Sequence, residues 1–295
     1  MSKNQKDIKI SIITVTLNNL EGFNITAKSI IRQTANSNNW EWIIIDGGSI
    51  DGTVEAIQCL NSKIAYWISE PDGSIYEAMN KGIMQANGEY ILFLNAGDTF
   101  YSSNVISEII NDKKFNTADY LSGNLFYTKK MKIIGKEYAP KVITGKFLFC
   151  KTLCHQSTLI RRSRLCTLKG YDTTYKITAD AKFFFQDIIM NNASYERLNI
   201  YIVNYDTTGI SSTNWATTKI ERQRYLQELL PQRIYEDYYR LQYGETLLEK
   251  ILCKIKPNTT YYKLLTYIAV LLYLPISLKH RIYMLYNNTF NKKSN

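Results

Sequence analysis

The sequence predicts an α/β protein: a mixed, mainly parallel sheet flanked by helices, with a helical C-terminal extension. Three observations carry that expectation. Four apolar runs of strand length alternate with three helical stripes in the first hundred residues, the pattern of βαβ units. Two of those runs, Ile43-Ile44-Ile45-Asp46-Gly47-Gly48-Ser49 and Tyr90-Ile91-Leu92-Phe93-Leu94-Asn95-Ala96-Gly97-Asp98, each end by releasing a carboxylate into a glycine-containing turn. The formal net charge of +10 is concentrated at one end, because from Lys250 onward there are eight Lys or Arg and no Asp or Glu. That asymmetry reads as an appended basic segment and disfavours a nucleic-acid binder, whose cations would line a grooved aromatic face.

The elements follow in order. Lys9 to Leu17, rich in β-branched residues, reads as the first strand. Phe23, Ala27, Ile30 and Ile31 recur at helical spacing, and Trp40 to Asp46 is the second strand. Asp51-Gly52-Thr53 opens a short helix with Val54, Ile57 and Leu60 on one face, and Ile64 to Ser69 is a third strand closed by the turn Glu70-Pro71-Asp72-Gly73. Ser74 and Glu77 have capping-box spacing before a stripe of Ile75, Met79 and Ile83; Asn87-Gly88 stops that helix and Tyr90 to Leu94 is the fourth strand. Beyond Asn111 the pattern is mixed. Leu121 to Tyr127 and Ile133 to Tyr138 suit the strands of a hairpin or of a long excursion, Ala179 to Met190 a helix, Ile200 to Tyr205 a strand and Thr217 to Gly244 a charged, aromatic helical stretch.

The apolar run Leu264 to Leu278 is too short to span a bilayer comfortably and is broken by Pro275. Lys263, Lys279, His280 and Arg281 frame it, so it would lie in an anionic membrane surface or pack as a helical hairpin on the rest of the protein. The 23 tyrosines suit carbohydrate stacking or a membrane interface, and equally serve as amphipathic filler. Five cysteines (Cys59, Cys150, Cys154, Cys166, Cys253) and an N-terminus, Met1 to Lys9, without an apolar core favour a cytoplasmic protein with free thiols. Cys150, Cys154 and His155 lack the second ligand pair that zinc would need.

In an open α/β sheet, ligands bind beyond the carboxyl ends of the strands, so carboxylates released there suit a polar, metal-bearing ligand such as a sugar nucleotide. The segments Ser11 to Asn18, Ile45 to Thr53, Glu70 to Gly82, Leu92 to Asp98, His155-Gln156 and Thr178-Ala179-Asp180, in that order and spacing, resemble a family 2 glycosyltransferase of the GT-A fold. The similarity is to bacterial enzymes of surface-polysaccharide synthesis (O-antigen, capsule), in particular the colanic-acid glycosyltransferases, and covers Ile10 to Ser212. The resemblance implies a catalytic domain over 1–215 and a basic, aromatic extension over 216–295.

It also implies roles. Asp46, with Gly47, Ser49, Thr14, Thr16 and Asn18, would flank the base and ribose of the donor, with Asp46 accepting from a uracil-type N–H. Asp72, Asn80, Lys81 and Asn95 would line the donor sugar and phosphates. Asp98 would hold Mg²⁺ or Mn²⁺ against the leaving diphosphate, although Asn95 and Gly97 stand where further acids are common, and His155 is a candidate for an extra ligand or a phosphate contact. Asp180 would be the general base of a single, inverting displacement, with Asp172 and Asp187 as competing carboxylates. The acceptor would be a glycan or lipid-linked glycan, reached from the inner face of the plasma membrane. The alternatives are an inactive scaffold that keeps the fold, and a nucleotidyltransferase, which would want a Gly-rich phosphate loop with a cation where this chain has Leu17 to Gly22.

Overall fold

The structure is a computed structural model that describes residues 8–209, 214–243, 260, 263 and 264. Its parallel half is built from β1 (Ile10–Thr16), β2 (Trp40–Asp46), β3 (Tyr66–Ser69) and β4 (Tyr90–Phe93), crossed over by α1 (Leu20–Ile31), α2 (Thr53–Cys59) and α3 (Ile75–Gln85). Every residue of β1 is buried, as expected of a strand covered on both faces. Asn19 caps α1 by accepting from Gly22 N, and Ser74 caps α3 by accepting from Glu77 N. The Glu77 carboxylate accepts from Gly73 N, one residue short of a reciprocal capping box. The buried stripe of α3 is Tyr76, Met79 and Ile83, and Ile75 is 44% exposed, so the helix is rotated from its expected phase. Gly82 lets α3 sit against β1, since a Cβ there would lie 2.6 Å from Ile13 Cγ2.

The second half mixes directions. It comprises β5 (Thr99–Phe100), α4 (Val105–Asn111), β6 (Tyr120–Lys129), β7 (Lys132–Glu137), α5 (Gly145–Cys150), β8 (Thr158–Arg161), α6 (Arg162–Thr167), α7 (Ala179–Phe184) with a π-helical continuation over Phe185–Met190, and β9 (Tyr195–Asp206). Strand order is β3-β2-β1-β4-β8-β6-β9-β5, with β7 paired to β6. The pairs among β1, β2, β3 and β4 are parallel, β6–β9 is parallel, and β4–β8, β6–β8, β6–β7 and β5–β9 are antiparallel. The expected hairpin is present as β6–β7. From β1 the chain leaves to β2 on one side while β4 lies on the other, which places the topological switch point between the carboxyl ends of β1 and β4.

Two helices follow, α8 (Trp215–Leu229) and α9 (Gln232–Tyr243). Packing divides the chain into Met1–Leu230 and Pro231–Asn295. Helix α8 therefore belongs with the sheet, whereas the expected boundary after residue 215 assigns it to the extension. Four hydrogen bonds to its Glu221, described below, are the reason. The apolar run to Leu278, apart from Leu264 itself, and Cys253 lie outside the described residues. Cys59, Cys150, Cys154 and Cys166 are free thiols. No helix among the described residues is long and apolar enough to cross a membrane.

Candidate functional site

The carboxyl ends of β1, β2 and β3 form a shelf. Asp46 ends β2 fully buried, and its two oxygens accept from Gly48 N (3.1 Å), Ser49 N (2.8 Å), Ser49 Oγ (2.5 Å) and Ser69 Oγ (2.6 Å). Oδ2 takes three of these bonds and Oδ1 one, and with no exposed surface the carboxylate offers its remaining acceptor position to nothing outside the turn. Asp46 thus shapes the loop, and the expectation that it accepts from a base N–H is corrected. Gly48 sits at φ +85°, which suits glycine in that turn. Thr14 is likewise corrected: it lies in the core and accepts from Trp42 Nε1 at 3.0 Å. Asn18 and Ser49 bind the β1 and β2 loops together through Asn18 N to Ser49 Oγ (2.7 Å) and Ile50 N to Asn18 Oδ1 (2.9 Å).

Two polar atoms on this shelf are buried without a partner, Thr16 Oγ1 and Asp72 Oδ2. Asp72 Oδ2 lies 3.5 Å from where a Cβ on Gly47 would stand, beside Leu17, which is 57% exposed. Burial raises the Asp72 carboxyl, partly offset by Lys81, whose ammonium contacts Asp72 Oδ1 (2.5 Å), Glu70 (2.7 Å) and Glu77 (3.7 Å). Lys81 is thereby committed to three carboxylates and not held free for phosphate. Asn80 is also spent, donating to Tyr171 O and accepting from Tyr171 N, both at 2.8 Å, to fasten the loop that follows α6. Asn80 is reached by a loop 91 residues away, whereas Lys81 is held by carboxylates only 4 to 11 residues away in its own turn and helix.

A second cluster occupies the switch point. Asp180, on the first turn of α7, is 9% exposed. Its Oδ2 lies 2.8 Å from His155 Nδ1, and Tyr76 Oη lies 2.9 Å from its Oδ1 and 2.5 Å from Ile177 O. His155 Nε2 faces Asn95 Nδ2 at 3.4 Å. Burial works to raise the Asp180 carboxyl, but His155 and Tyr76 outweigh it, so the group is held below the usual carboxylate range and stays ionised at neutral pH.

Asp98, 4% exposed, is joined to Asn95 by a backbone turn (Asp98 N to Asn95 O, 3.0 Å) and accepts from Asp206 N at 2.8 Å. Burial pushes its carboxyl up to about 7, against hydrogen bonds from Asp206 N and Gln156 and the nearby His155. Asp98, Asn95, His155 and Asp180 are therefore one contiguous group, while Asp46 lies on the same sheet edge behind its own turn.

The other two candidate bases are occupied elsewhere. Asp172 is bound to Lys182 (2.7 Å) and Thr174, which holds it at about 2 despite some burial. Asp187 is fully buried and accepts from Tyr120 Oη (2.5 Å), Arg164 Nε (2.8 Å), Arg164 Nη2 and Asn191 Nδ2 (3.2 Å).

Four residues of the site were not anticipated: Tyr76, Gln156 as a partner of Asp98, Asp206 and Glu221. Tyr76 could have been found from the i, i+3, i+7 stripe it shares with Met79 and Ile83. Asp206 ends an apolar strand before a Thr-Thr-Gly turn, as Asp46 and Asp98 end theirs. Glu221 carries no such signal. Its buried carboxylate accepts from Lys176 N (2.7 Å), Ile177 N (3.0 Å), Thr178 N (3.0 Å) and Thr178 Oγ1 (3.1 Å), fixing the segment that leads into Asp180. Glu221→Ala is expected to lower stability by about 1–3 kcal/mol, the cost of leaving buried donors unmet. It should also reduce kcat more than it raises donor KM. A melting curve with kinetics checks both, and an unchanged kcat would show that the segment positions nothing.

No three His, Cys, Asp or Glu among the described residues gather as a metal cage. Asn95 Oδ1, however, is a buried oxygen without a partner, one turn from a buried carboxylate whose ionisation nothing fully compensates. Hard oxygen donors of this kind suit Mg²⁺ or Mn²⁺, with phosphate oxygens and water completing the shell.

Comparison with known proteins agrees with this architecture. Residues 11–153 match the family model described as Glycosyl transferase family 2. An uncharacterized glycosyltransferase of Mycobacterium tuberculosis is 28% identical over 218 residues, 69% of this chain and 77% of its own length. The poly(ribitol-phosphate) β-N-acetylglucosaminyltransferase TarP of Staphylococcus aureus is 24% identical, over 79% of this chain and 72% of its own. Among solved structures, S. aureus TarS in complex with UDP-GlcNAc superposes with a TM-score of 0.61 at 14% identity, covering 84% of this chain and 76% of that one. A mannosyltransferase of Pyrobaculum calidifontis in complex with GDP-Man and Mn²⁺ does so at 0.59 and 14%, covering 90% and 81%. These likenesses show a GT-A fold.

Proposed function

Because this chain is a family 2 glycosyltransferase, we propose that it moves one monosaccharide from a UDP-linked donor to a glycan or lipid-linked acceptor, with inversion. The product would be a bacterial surface polysaccharide or glycolipid. The observation that carries this reading is the contact chain Asp98–Asn95–His155–Asp180 at the switch point between β1 and β4. TarS, in complex with UDP-GlcNAc, supports the donor class. The unpartnered Thr16 Oγ1 and Asp72 Oδ2 support a polar ligand on the shelf beside Gly47.

Asp180 would take the acceptor hydroxyl proton as that oxygen attacks the anomeric carbon and the bond to the diphosphate breaks. Two of its lone pairs face His155 and Tyr76, which aim it and keep it ionised, a third is met by the backbone at Ala181, and the last remains for the acceptor. Asp98 and Asn95 Oδ1 would hold a divalent cation, whose charge offsets that developing on the leaving group. The basic, apolar segment from Lys250 onward supports peripheral association with the inner face of the plasma membrane, where a lipid-linked acceptor is presented.

Thermal stabilisation by a panel of nucleotide sugars tests the donor reading. A true donor at a hundred times its Kd is expected to add about 2.7 kcal/mol. Because a cation competes with the proton on a carboxyl that titrates at about 7, the Mn²⁺-dependent part of this gain should grow from about pH 6 to about pH 8. A panel in which no nucleotide sugar raises the melting temperature would falsify the donor assignment. A Mn²⁺ effect that is flat across this range would remove Asp98 as the ligand.

A further inference from the structure

The β6–β7 hairpin presents a tip that its fold does not explain. Its two-residue turn is Lys130-Met131, with φ at +48° and +61°. Such a turn favours Asn or Gly, and a long apolar side chain here is conformationally disfavoured. The register slips between Tyr127 and Thr128, which pair with Gly135 and Ile133, so Ile134 is an extra residue. That bulge breaks the alternation that would turn one isoleucine under the sheet. Met131 is 62% exposed, Ile133 60% and Ile134 59%, and Val142 just beyond the hairpin is 70%.

Charge and aromatic residues are arranged around this tip. Lys129, Lys130, Lys132, Lys136 and Lys141 are all exposed, and none forms an ion pair among the described residues. The one acid between 129 and 142, Glu137, accepts from the Tyr127 hydroxyl. At the base of the hairpin a ladder of rings lies open: Phe126 stacks on Tyr201 at 4.5 Å, Tyr101 lies 5.4 Å from both, and Tyr138 lies 6.2 Å from Tyr201. Tyr101 and Tyr138 are 47% and 52% exposed, and Lys136 lies 5.3 Å from the Tyr138 ring centre. Lysine on an edge strand such as β7 guards against strand pairing, but that purpose leaves three large apolar side chains at the tip unaccounted for.

We propose that the β6–β7 hairpin is a membrane-docking element: Met131, Ile133 and Ile134 enter an anionic bilayer surface while the lysine collar meets its phosphates. Charge complementarity selects this occupant. Apolar side chains ringed by unpaired cations suit a surface that is greasy below and anionic above, and tyrosines favour the depth of the headgroups. The hairpin contains none of the residues placed in the transfer chemistry. Its docking therefore extends the proposed membrane association, and failure of one reading leaves the other standing.

The test uses the full chain with phosphatidylcholine vesicles, with and without phosphatidylglycerol, in a flotation assay. The native protein should bind the anionic vesicles and release from them in high salt. Met131→Ser/Ile133→Ser/Ile134→Ser, and separately Lys129→Glu/Lys130→Glu/Lys132→Glu, should each bind roughly tenfold or more weakly with an unchanged melting temperature. A Met131→Trp variant should show a blue-shifted emission on adding anionic vesicles, which reads insertion at the tip even if a triple variant folds poorly. Native-like binding by both triple variants, or a Met131→Trp emission indifferent to vesicles, would overturn the proposal and leave binding to the C-terminal segment. A native protein that ignores anionic vesicles would also overturn it. So would variants that change only self-association, which would make the hairpin an interface between copies.

Discussion

Asp180→Asn is expected to abolish sugar transfer while leaving donor binding intact. A positioned general base contributes about 10²–10⁴-fold, and the substitution is isosteric, so kcat should fall by about a hundredfold or more. The asparagine can still accept from Tyr76, and Asp180 is a single site in a large buried network, so the melting temperature with UDP-sugar and Mn²⁺ should move little. Tyr76→Phe, which removes one of the two groups that aim the carboxylate, should give a smaller loss in kcat. Asp172→Asn breaks a contact with Lys182 at the surface and should leave the rate within about threefold, because partly exposed ion pairs contribute little. Measured kcat for the three variants decides the matter. If Asp180→Asn keeps native turnover, the base lies elsewhere and the inverting mechanism loses its motive residue.

The second large effect falls on stability. Asp187→Ala removes the acceptor for Tyr120 and for the Arg164 guanidinium in a site with no water access to the carboxylate. Breaking a buried charge pair from one side costs about 3–5 kcal/mol. For a domain of this size each kcal/mol lowers Tm by about 2–4 °C, so a fall of roughly 6–20 °C is expected. Folded protein below that transition should turn over normally. The reverse result, a native melting curve with lost transfer, would exchange the roles of Asp187 and Asp180.

The two aspartates lie seven positions apart on one helical segment, and the resemblance favours Asp180 as the base while residue pattern and helical spacing do not separate the two. Asp180 follows Ala179 and Asp187 follows Gln186, and both suit a helix. What separates them is that Arg164 and Tyr120 reach Asp187, while His155 and Tyr76 reach Asp180, across 23 to 104 residues of chain. The parallel half was legible for the opposite reason. Strands β1, β2 and β4 are runs of largely β-branched and aromatic side chains buried on both faces, α1 and α3 begin at Asn and Ser caps, and β1, β2 and β3 are neighbours both in sequence and in space. The strand Trp40–Asp46 was read to the residue. The two-residue β5 escaped because so short a segment has no period to detect, and β8, as short as β3 and β4, escaped because it lies outside the regular alternation of strand and helix that marks those two. The π-helical turn at Phe185–Met190 escaped because its spacing departs from 3.6.

The sequence by itself therefore determined the α/β class, the parallel strands and the release of Asp46 and Asp98 at one sheet edge, since these follow from local periodicity and turn chemistry. Only the tertiary structure decided what each carboxylate does there. Asp46 is enclosed by its own Gly48-Ser49 turn and Ser69, Asp98 is buried against Asp206 N, and Asp180 is aimed by His155. The physical reason is that a carboxylate's role is set by the donors that reach it and by its access to water. Those donors, many of them backbone N–H groups common to every residue, are brought together by folding and leave no mark in the sequence.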